Sequence, residues 1–433
     1  MATELYGTYG RLLTTEGRTA VTNSTNVVFI GAAKCADAGG DYIGVADEPV
    51  YISSEAEYGT VFGGAVGDGW SLSEAVEAAF RVCNLRGIWV VNVNHEDDGA
   101  PEFASEASVS AANLLGDASL ETGVYAIQKL YPDHGAIADI ACIPVFHTAV
   151  GVTKSDLLSA LKANVVKANG HWDGIICYDI TENSGQKNAS NIVVPANVVS
   201  AKDLQDERAV ANFGHVITSL SSGTVARAIS GAAVKACLYA QSDSIQQGKL
   251  PSRTIGNQYL SGVLGIAIDL SGSWSAPLRI SEASATSLSA DGITSWLNKG
   301  GGRWFTWGDH TSAFSAGTVS DERARFDSNI RMLLNITNHF QLAWQDYIDD
   351  KLTLQMRNDI LQEENEYLGY CVSCGALIGD PVCIFAPDNN NSTAQSGQFY
   401  FKSLATNTPP AKYLDLGLAF TSEGFKVYLS NEE

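Results

Sequence analysis

The chain has 433 residues, 45% of them hydrophobic, which suits two or three packed domains and excludes intrinsic disorder. With 48 acidic against 27 basic residues, its formal charge of −21 argues against nucleic acid as a partner, because neutralising phosphates takes an excess of Lys and Arg. The longest apolar runs, 27–33 and 88–93, are far shorter than a bilayer span, so a soluble protein is expected.

Residues 1–25 are rich in Gly and Thr, carry Tyr6, Tyr9 and Arg11, lack helical periodicity, and are expected to form an extended arm. The opening Met-Ala-Thr-Glu has no basic region followed by an apolar stretch, so no secretory signal is expected. The first strand falls at 27–31. Ser71-Leu-Ser-Glu74 makes a capping box before Ala75, Val76, Ala79, Phe80 and Cys83, predicting a helix that Gly87 stops ahead of a buried strand at 88–93. The rhythm then repeats. A helix near 123–131 leads to a strand at 141–146. Thr153 can cap a helix with Leu157, Leu158, Leu161 and Val165 on one face, followed by a strand at 174–179. A strand at 215–220 and a helix over 224–241, lined by Val225, Ile229, Ala233, Cys237 and Leu238, complete an α/β region with a largely parallel sheet. Residues 241–302 are looser, with strand-like content only at 259–270.

The character changes after Gly300-Gly301-Gly302. Phe326, Ile330, Leu333, Phe340, Trp344 and Tyr347 mark one helical stripe from about 321, and a second helix is expected over 353–368. Short strands follow around 382–386 and 398–404. After Pro409-Pro410 come two strand-like runs, 413–421 and 425–429. The expected fold class is multi-domain, α/β plus α+β. It has an arm at 1–25, a mixed-sheet α/β region at 26–300 (within which 26–96 could stand as a subdomain), an α+β C-terminal domain at 301–412 and a terminal strand or arm at 413–433.

No coherent catalytic constellation emerges. Gln247-Gly248-Lys249-Leu250 lacks the Ser/Thr and upstream Gly of a Walker A loop. Gly63-Gly64-Ala-Val-Gly67-Asp-Gly69 precedes a helix as a phosphate loop would, but reads as a surface loop. The seven histidines show no HxH or HExxH spacing, and Asp133-His134 and Asp309-His310 are read as chance neighbours. Cys371-Val-Ser-Cys374 has the spacing of half a zinc site, with no second half to complete it. The eight cysteines are therefore expected to be buried free thiols of a protein made in a reducing compartment. No cofactor, metal or catalytic residue is predicted.

Three segments carry a family likeness. Asp291-Gly292-Ile293 precedes Gly300-Gly301-Gly302-Arg303-Trp304-Phe305 and then Trp307-Gly308-Asp309-His310-Thr311, and Pro409-Pro410-Ala-Lys-Tyr413-Leu414-Asp-Leu416 follows the long helical region. In this order the chain resembles the tail sheath proteins of contractile phages, R-type bacteriocins and contractile injection systems, with His310 where the family has Arg. The resemblance implies a non-enzymatic subunit that polymerises helically, in stacked hexameric rings, around an inner tail tube between baseplate and terminator proteins. It implies assembly in a bacterial host cytoplasm and residence in a virion tail or an extracellular tail-like particle, with no nucleic-acid or direct membrane partner. It also implies arms that add strands to neighbouring subunits, here Tyr6, Tyr9, Arg11, Phe420, Phe425, Val427, Tyr428 and Leu429. Arg323, Arg325, Arg331, Lys351 and Arg357 form a basic cluster in an acidic chain, expected to face the tube. The rival expectations are an α/β enzyme, hydrolase-like, with an unrecognised site, and another structural component such as a tail tube, which the length and helical content disfavour.

Overall fold

The computed structural model describes residues 25–147, 151–165, 173–219, 226–270, 277–315 and 321–426. The first half contains strands β1 (Val27–Gly31), β2 (Pro49–Ile52), β3 (Ile88–Asn92), β4 (Glu96–Asp97), β5 (Ala100–Pro101), β6 (Ile140–Cys142), β7 (Ile175–Asp179) and β8 (Ala209–Asn212). Its helices are α1 (Glu55–Phe62), α2 (Ser71–Glu77), α3 (Ala111–Leu115), α4 (Leu130–His134), α5 (Lys154–Val165) and α6 (Pro195–Val199). The second half adds β9 (His215–Ser219), β10 (Ala226–Ile229), β11 (Tyr259–Leu260), β12 (Val263–Ala267), β13 (Ile293–Asn298), β14 (Trp304–Trp307), β15 (Leu377–Phe385) and β16 (Phe401–Asn407). Helices α7 (Gly231–Ile245), α8 (Glu282–Ala290), α9 (Asp327–Trp344), α10 (Leu354–Ser373) and α11 (Asn391–Gln395) lie among these strands.

Nine strands form one mixed sheet, in the order β11-β14-β13-β8-β7-β6-β1-β3-β2. The six from β13 to β3 run parallel; β2 pairs antiparallel with β3 on one side, and on the other β14 pairs antiparallel with β13 and β11 antiparallel with β14. β1 and β7 are buried at every position, as parallel strands covered on both faces must be. Helix α7 crosses β1, β6, β7 and β8 with Ala232, Ala233, Ala236 and Cys237 buried, small side chains that let it approach closely. A separate three-stranded sheet, β10-β9-β12, hangs on α2: Glu77 accepts from Thr218 Oγ1 at 2.5 Å and Arg227 Nε at 2.9 Å. A smaller second core joins Met332 and Ile336 of α9, Leu368 and Cys371 of α10, and Leu377 and Cys383 of β15.

Several expectations are corrected. Ser71 does not cap α2; its Oγ takes the Ala32 amide at 2.8 Å, and Glu74 reaches Ser230 N at 3.2 Å instead of closing a box. The helix expected over 224–241 begins only at Gly231, capped by Ser230, because Arg227 is claimed by Glu77 and the segment before it pairs with β9. The stretch thought loose contains α8 and β13, the latter buried at five of its six positions. The boundary drawn at 300 falls inside the β13–β14 hairpin, and 26–96 shares the main sheet through β1, β2 and β3. All eight cysteines are buried and unpaired, as expected. Among the described residues, no helix is long and apolar enough to cross a membrane.

Candidate functional site

In an open parallel sheet a ligand ordinarily sits beyond the carboxyl ends of the strands, where the winding reverses, here between β1 and β6. The protein fills that position with its own acids. Glu106 accepts the Ser71 amide at the start of α2 at 2.9 Å and meets His147 Nε2 at 2.7 Å. Asp179, at the end of β7, accepts from Ser230 Oγ at 2.6 Å, the Ala232 amide at 2.9 Å and Asn212 Nδ2 at 2.6 Å, capping α7. His215 lies beside it, with Nε2 on Glu182 at 2.6 Å. Helix N-termini that could bind phosphate are thereby neutralised from within. The glycine loop behaves likewise: Gly63 ends α1 at φ 67°, and Asp68 accepts the Ala65 and Trp70 amides at 3.2 and 3.1 Å. Among the described residues, no group of His, Cys, Asp and Glu is arranged to hold a metal ion.

The unusual surface lies at the other end of the chain. β15 and β16 form a two-stranded sheet whose inner face packs on α10 and whose outer face exposes Ile378, Val382, Ile384 and Leu404. Its packing on α10 supplies the stability that an isolated hairpin lacks, while its outer face stays uncovered. Beyond it, the Thr408 amide donates to Ala376 O at 3.1 Å, Asn407 Nδ2 to Asn329 O at 2.8 Å, and Lys412 Nζ to Asp309 Oδ1 at 2.5 Å. The chain then leaves the body. Tyr413 is 82% exposed, Leu414 86%, Leu416 86%, Leu418 91% and Phe420 85%. Leu414, Leu416, Leu418 and Phe420 recur at every second position and would share one face of a strand. No strand forms over 413–421; the predicted run has no partner among the described residues, and Glu423–Phe425 is a single 3-10 turn. An unpaired apolar segment of this kind is what a neighbouring sheet edge would complete.

Of the predicted arm residues, Phe420 and Phe425 are exposed, with ring centroids 6.2 Å apart. Tyr6, Tyr9, Arg11, Val427, Tyr428 and Leu429 lie outside the described residues. The basic cluster does not stay together. Arg331 is removed from any surface role, because it is 5% exposed and forms a bidentate pair with buried Asp243. Arg323 is exposed and held by Asp321. Arg325 lies over Phe314 and Phe326, and Arg357 over Phe385 at 5.6 Å. Lys351 is exposed in the turn before α10. His310 stacks on Phe314 at 3.9 Å and meets Ser289 Oγ at 3.3 Å; burial holds its imidazole down at about 4, so it is a neutral packing group. Sequence reasoning missed Lys412 and Asp309, the contact at the root of the tail. Its only signal was a lone Lys directly before the alternating leucines.

The fold, with its large mixed α/β sheet, is similar to that of several solved sheath proteins. The sheath subunit of an extracellular contractile injection system, PVC, in the contracted state matches with a TM-score of 0.63 at 14% identity, over 98% of this chain and 99% of that one. The contracted helical sheath of the anti-feeding prophage matches at 0.61 and 13%, over 98% and 100%. The sheath tail protein Lin1278 of Listeria innocua matches at 0.52 and 13%, over 89% and 95%. At these identities the likeness is one of fold. No family model and no curated protein matches the sequence.

Proposed function

We propose that the chain is a structural sheath subunit of a contractile tail or tail-like particle, and that it is not an enzyme. The observation that carries this reading is the segment 413–420, which follows a two-stranded sheet with an exposed face and has four alternating apolar side chains more than four-fifths exposed. One copy's segment lies against another copy's β15–β16 edge, so that main-chain hydrogen bonds link the copies and the leucines cover the exposed hairpin face. Such a contact is heterologous. Repeated without closure it generates a helix, and with ring closure it generates stacked rings, hexameric by the family resemblance. The end-to-end likeness to sheath subunits and the acid-filled crevice both favour this over an α/β hydrolase. The particle's inner tube, baseplate and terminator are the expected partners. Arg323, Arg325, Lys351 and Arg357 are the candidate tube contacts, and 1–20 is the candidate second arm. Contraction draws on better contacts in the shorter lattice and requires no nucleotide.

Negative-stain electron microscopy of the full chain, beside versions lacking 1–20 or 413–433, tests the reading. Wide hollow tubes from the full chain, alone or with a tube protein, lost on either truncation, are the expected result. Small closed oligomers with and without a tube protein would overturn it.

A further inference from the structure

A continuous line of polar contacts runs through the body from the first described residue to the root of the tail. Thr25 Oγ1 donates to Asp243 Oδ2 at 2.5 Å. The same carboxylate holds the Arg331 guanidinium, which lies 4.4 Å over the Tyr239 ring. Tyr239 OH donates to Asp327 Oδ2, and the Asp327 amide donates to Asp309 O at 3.1 Å. Asp309 then accepts Lys412 Nζ. Asp243, Arg331, Tyr239, Asp327 and Asp309 are each at least 95% buried, while the two ends, Thr25 and Lys412, are part-exposed.

The chemistry at the tail end makes Lys412 hard to replace. The Asp309 side chain is 3% exposed and needs a cation. Its neighbour His310 is neutral and cannot supply one. Asp327 is also acidic, and burial, with Asp309 beside it, pushes its carboxyl up to about 7. Lys235, buried among the same groups, spends its ammonium on the Ser295 carbonyl at 3.4 Å and the Trp296 ring at 4.6 Å. Lys412 reaches Asp309 from the tail itself, six positions before Leu418, after Pro409 and Pro410 have stiffened the approach.

We infer that Lys412 is a positioning residue: its pair with Asp309 clamps the C-terminal segment to the same buried frame that holds the root of the N-terminal segment, and so fixes where the apolar tail leaves the body. The clamp stands on intramolecular contacts alone. Its consequence for lattice geometry rests on the sheath reading.

The test uses the full chain as K412M, K412R and D309N. Hydrogen exchange at the Thr408 amide, measured on monomer, reads the clamp, and electron microscopy of assembled material reads its consequence. K412M and D309N are expected to speed Thr408 exchange at least about tenfold while exchange in β1 and β7 stays unchanged, and K412R is expected to restore the slow rate. D309N carries the test if K412M misfolds, because it leaves no buried charge unpaired. Wild-type exchange at Thr408 in both K412M and D309N, or failure of K412R to rescue, would overturn the clamp. Faster exchange with tubes of unchanged lattice and threshold would overturn its positioning role. Absence of tubes from the wild type tells against the sheath reading and leaves the exchange result to decide the clamp.

Discussion

If the chain assembles as proposed, replacing Leu416 and Leu418 by Ser should abolish polymerisation at ordinary concentrations while leaving the folded subunit untouched. In the isolated chain these side chains are 86% and 91% exposed, so little native packing is lost and monomer stability should move by less than about 0.5 kcal/mol. In an assembly both would be buried on the neighbour's hairpin. Burying one Leu is worth roughly 1.5–3 kcal/mol, so the pair contributes roughly 3–6 kcal/mol per tail. The entropy of ordering the segment is common to wild type and variant and cancels in the comparison. At about 1.4 kcal/mol per tenfold, even the lower figure raises the subunit concentration needed for polymerisation by about 100-fold. Sedimentation across a dilution series measures that threshold, and thermal unfolding of the monomer supplies the control. Ala419→Ser, on the opposite face of the segment, should leave both unchanged. A variant that pellets at the wild-type threshold would refute the docking argument. A lowered melting temperature would show instead that the segment packs on its own body.

Three further outcomes follow from the body. R331M leaves the buried Asp243 carboxyl without its guanidinium partner, and should destabilise the fold by about 3–5 kcal/mol in urea unfolding, with R331M/D243N recovering part of the loss. Burial pushes the Glu74 carboxyl from its ordinary 4.5 up to about 8, so the folded state keeps a proton that the unfolded state releases. Stability contributed by this group therefore falls as pH rises from about 4.5 to 8, at roughly 1.4 kcal/mol per pH unit. The gap between E74Q and wild type, measured by urea unfolding at several pH values, should widen over that window in favour of the variant. Gly63 ends α1 at φ 67°, and a Cβ there would lie 2.0 Å from Ala36 O, so G63A should lower stability by at least about 1–2 kcal/mol in thermal unfolding.

The parts of the fold legible in sequence were those whose residues agree with their surroundings. Val27-Val-Phe-Ile-Gly31 reads as a buried strand because it is covered on both faces, and Thr153 caps its helix with Asp156 closing back on it. β13 escaped notice because Thr294 and Ser295 interrupt its apolar run. Both are fully buried, and Thr294 is satisfied by the Ala211 carbonyl at 2.9 Å, a partner no local pattern reveals. Ala-Arg-Ala-Ile before Ser230 has helical composition, and only distant partners, β9 across the ladder and Glu77 on Arg227, make it a strand. The tail shows the converse. Its alternation is visible in sequence, yet no strand forms, because a strand requires a second edge and none pairs with it among the described residues. One member of the basic cluster, Arg331, was misplaced for a third reason: sequence proximity groups it with Arg323 and Arg325, but the start of α9 turns it inward, toward Asp243 on α7.

That inward turn bears on how a sheath subunit could do mechanical work. A bidentate ion pair buried between two helices costs more desolvation than an apolar contact of the same size, and replacing it with hydrophobic groups is often neutral or stabilising. What it adds here is register. Apolar faces of α7 and α9 could slide, whereas Arg331 on Asp243, with Thr25 on the same carboxylate, permits one alignment. Asn338 extends the tie by accepting the Asp173 amide at 3.0 Å and donating to the Asp173 carbonyl at 2.8 Å, and Tyr131 OH reaches Gln345 at 2.9 Å. Contacts from α9 and the residue that follows it thus reach α7, the segment just before β7, and α4. On the sheath reading, a body joined this way cannot store much of a contraction internally. The free energy must then reside in contacts between subunits, and the segment that begins at Tyr413 offers an uncommitted apolar surface for them.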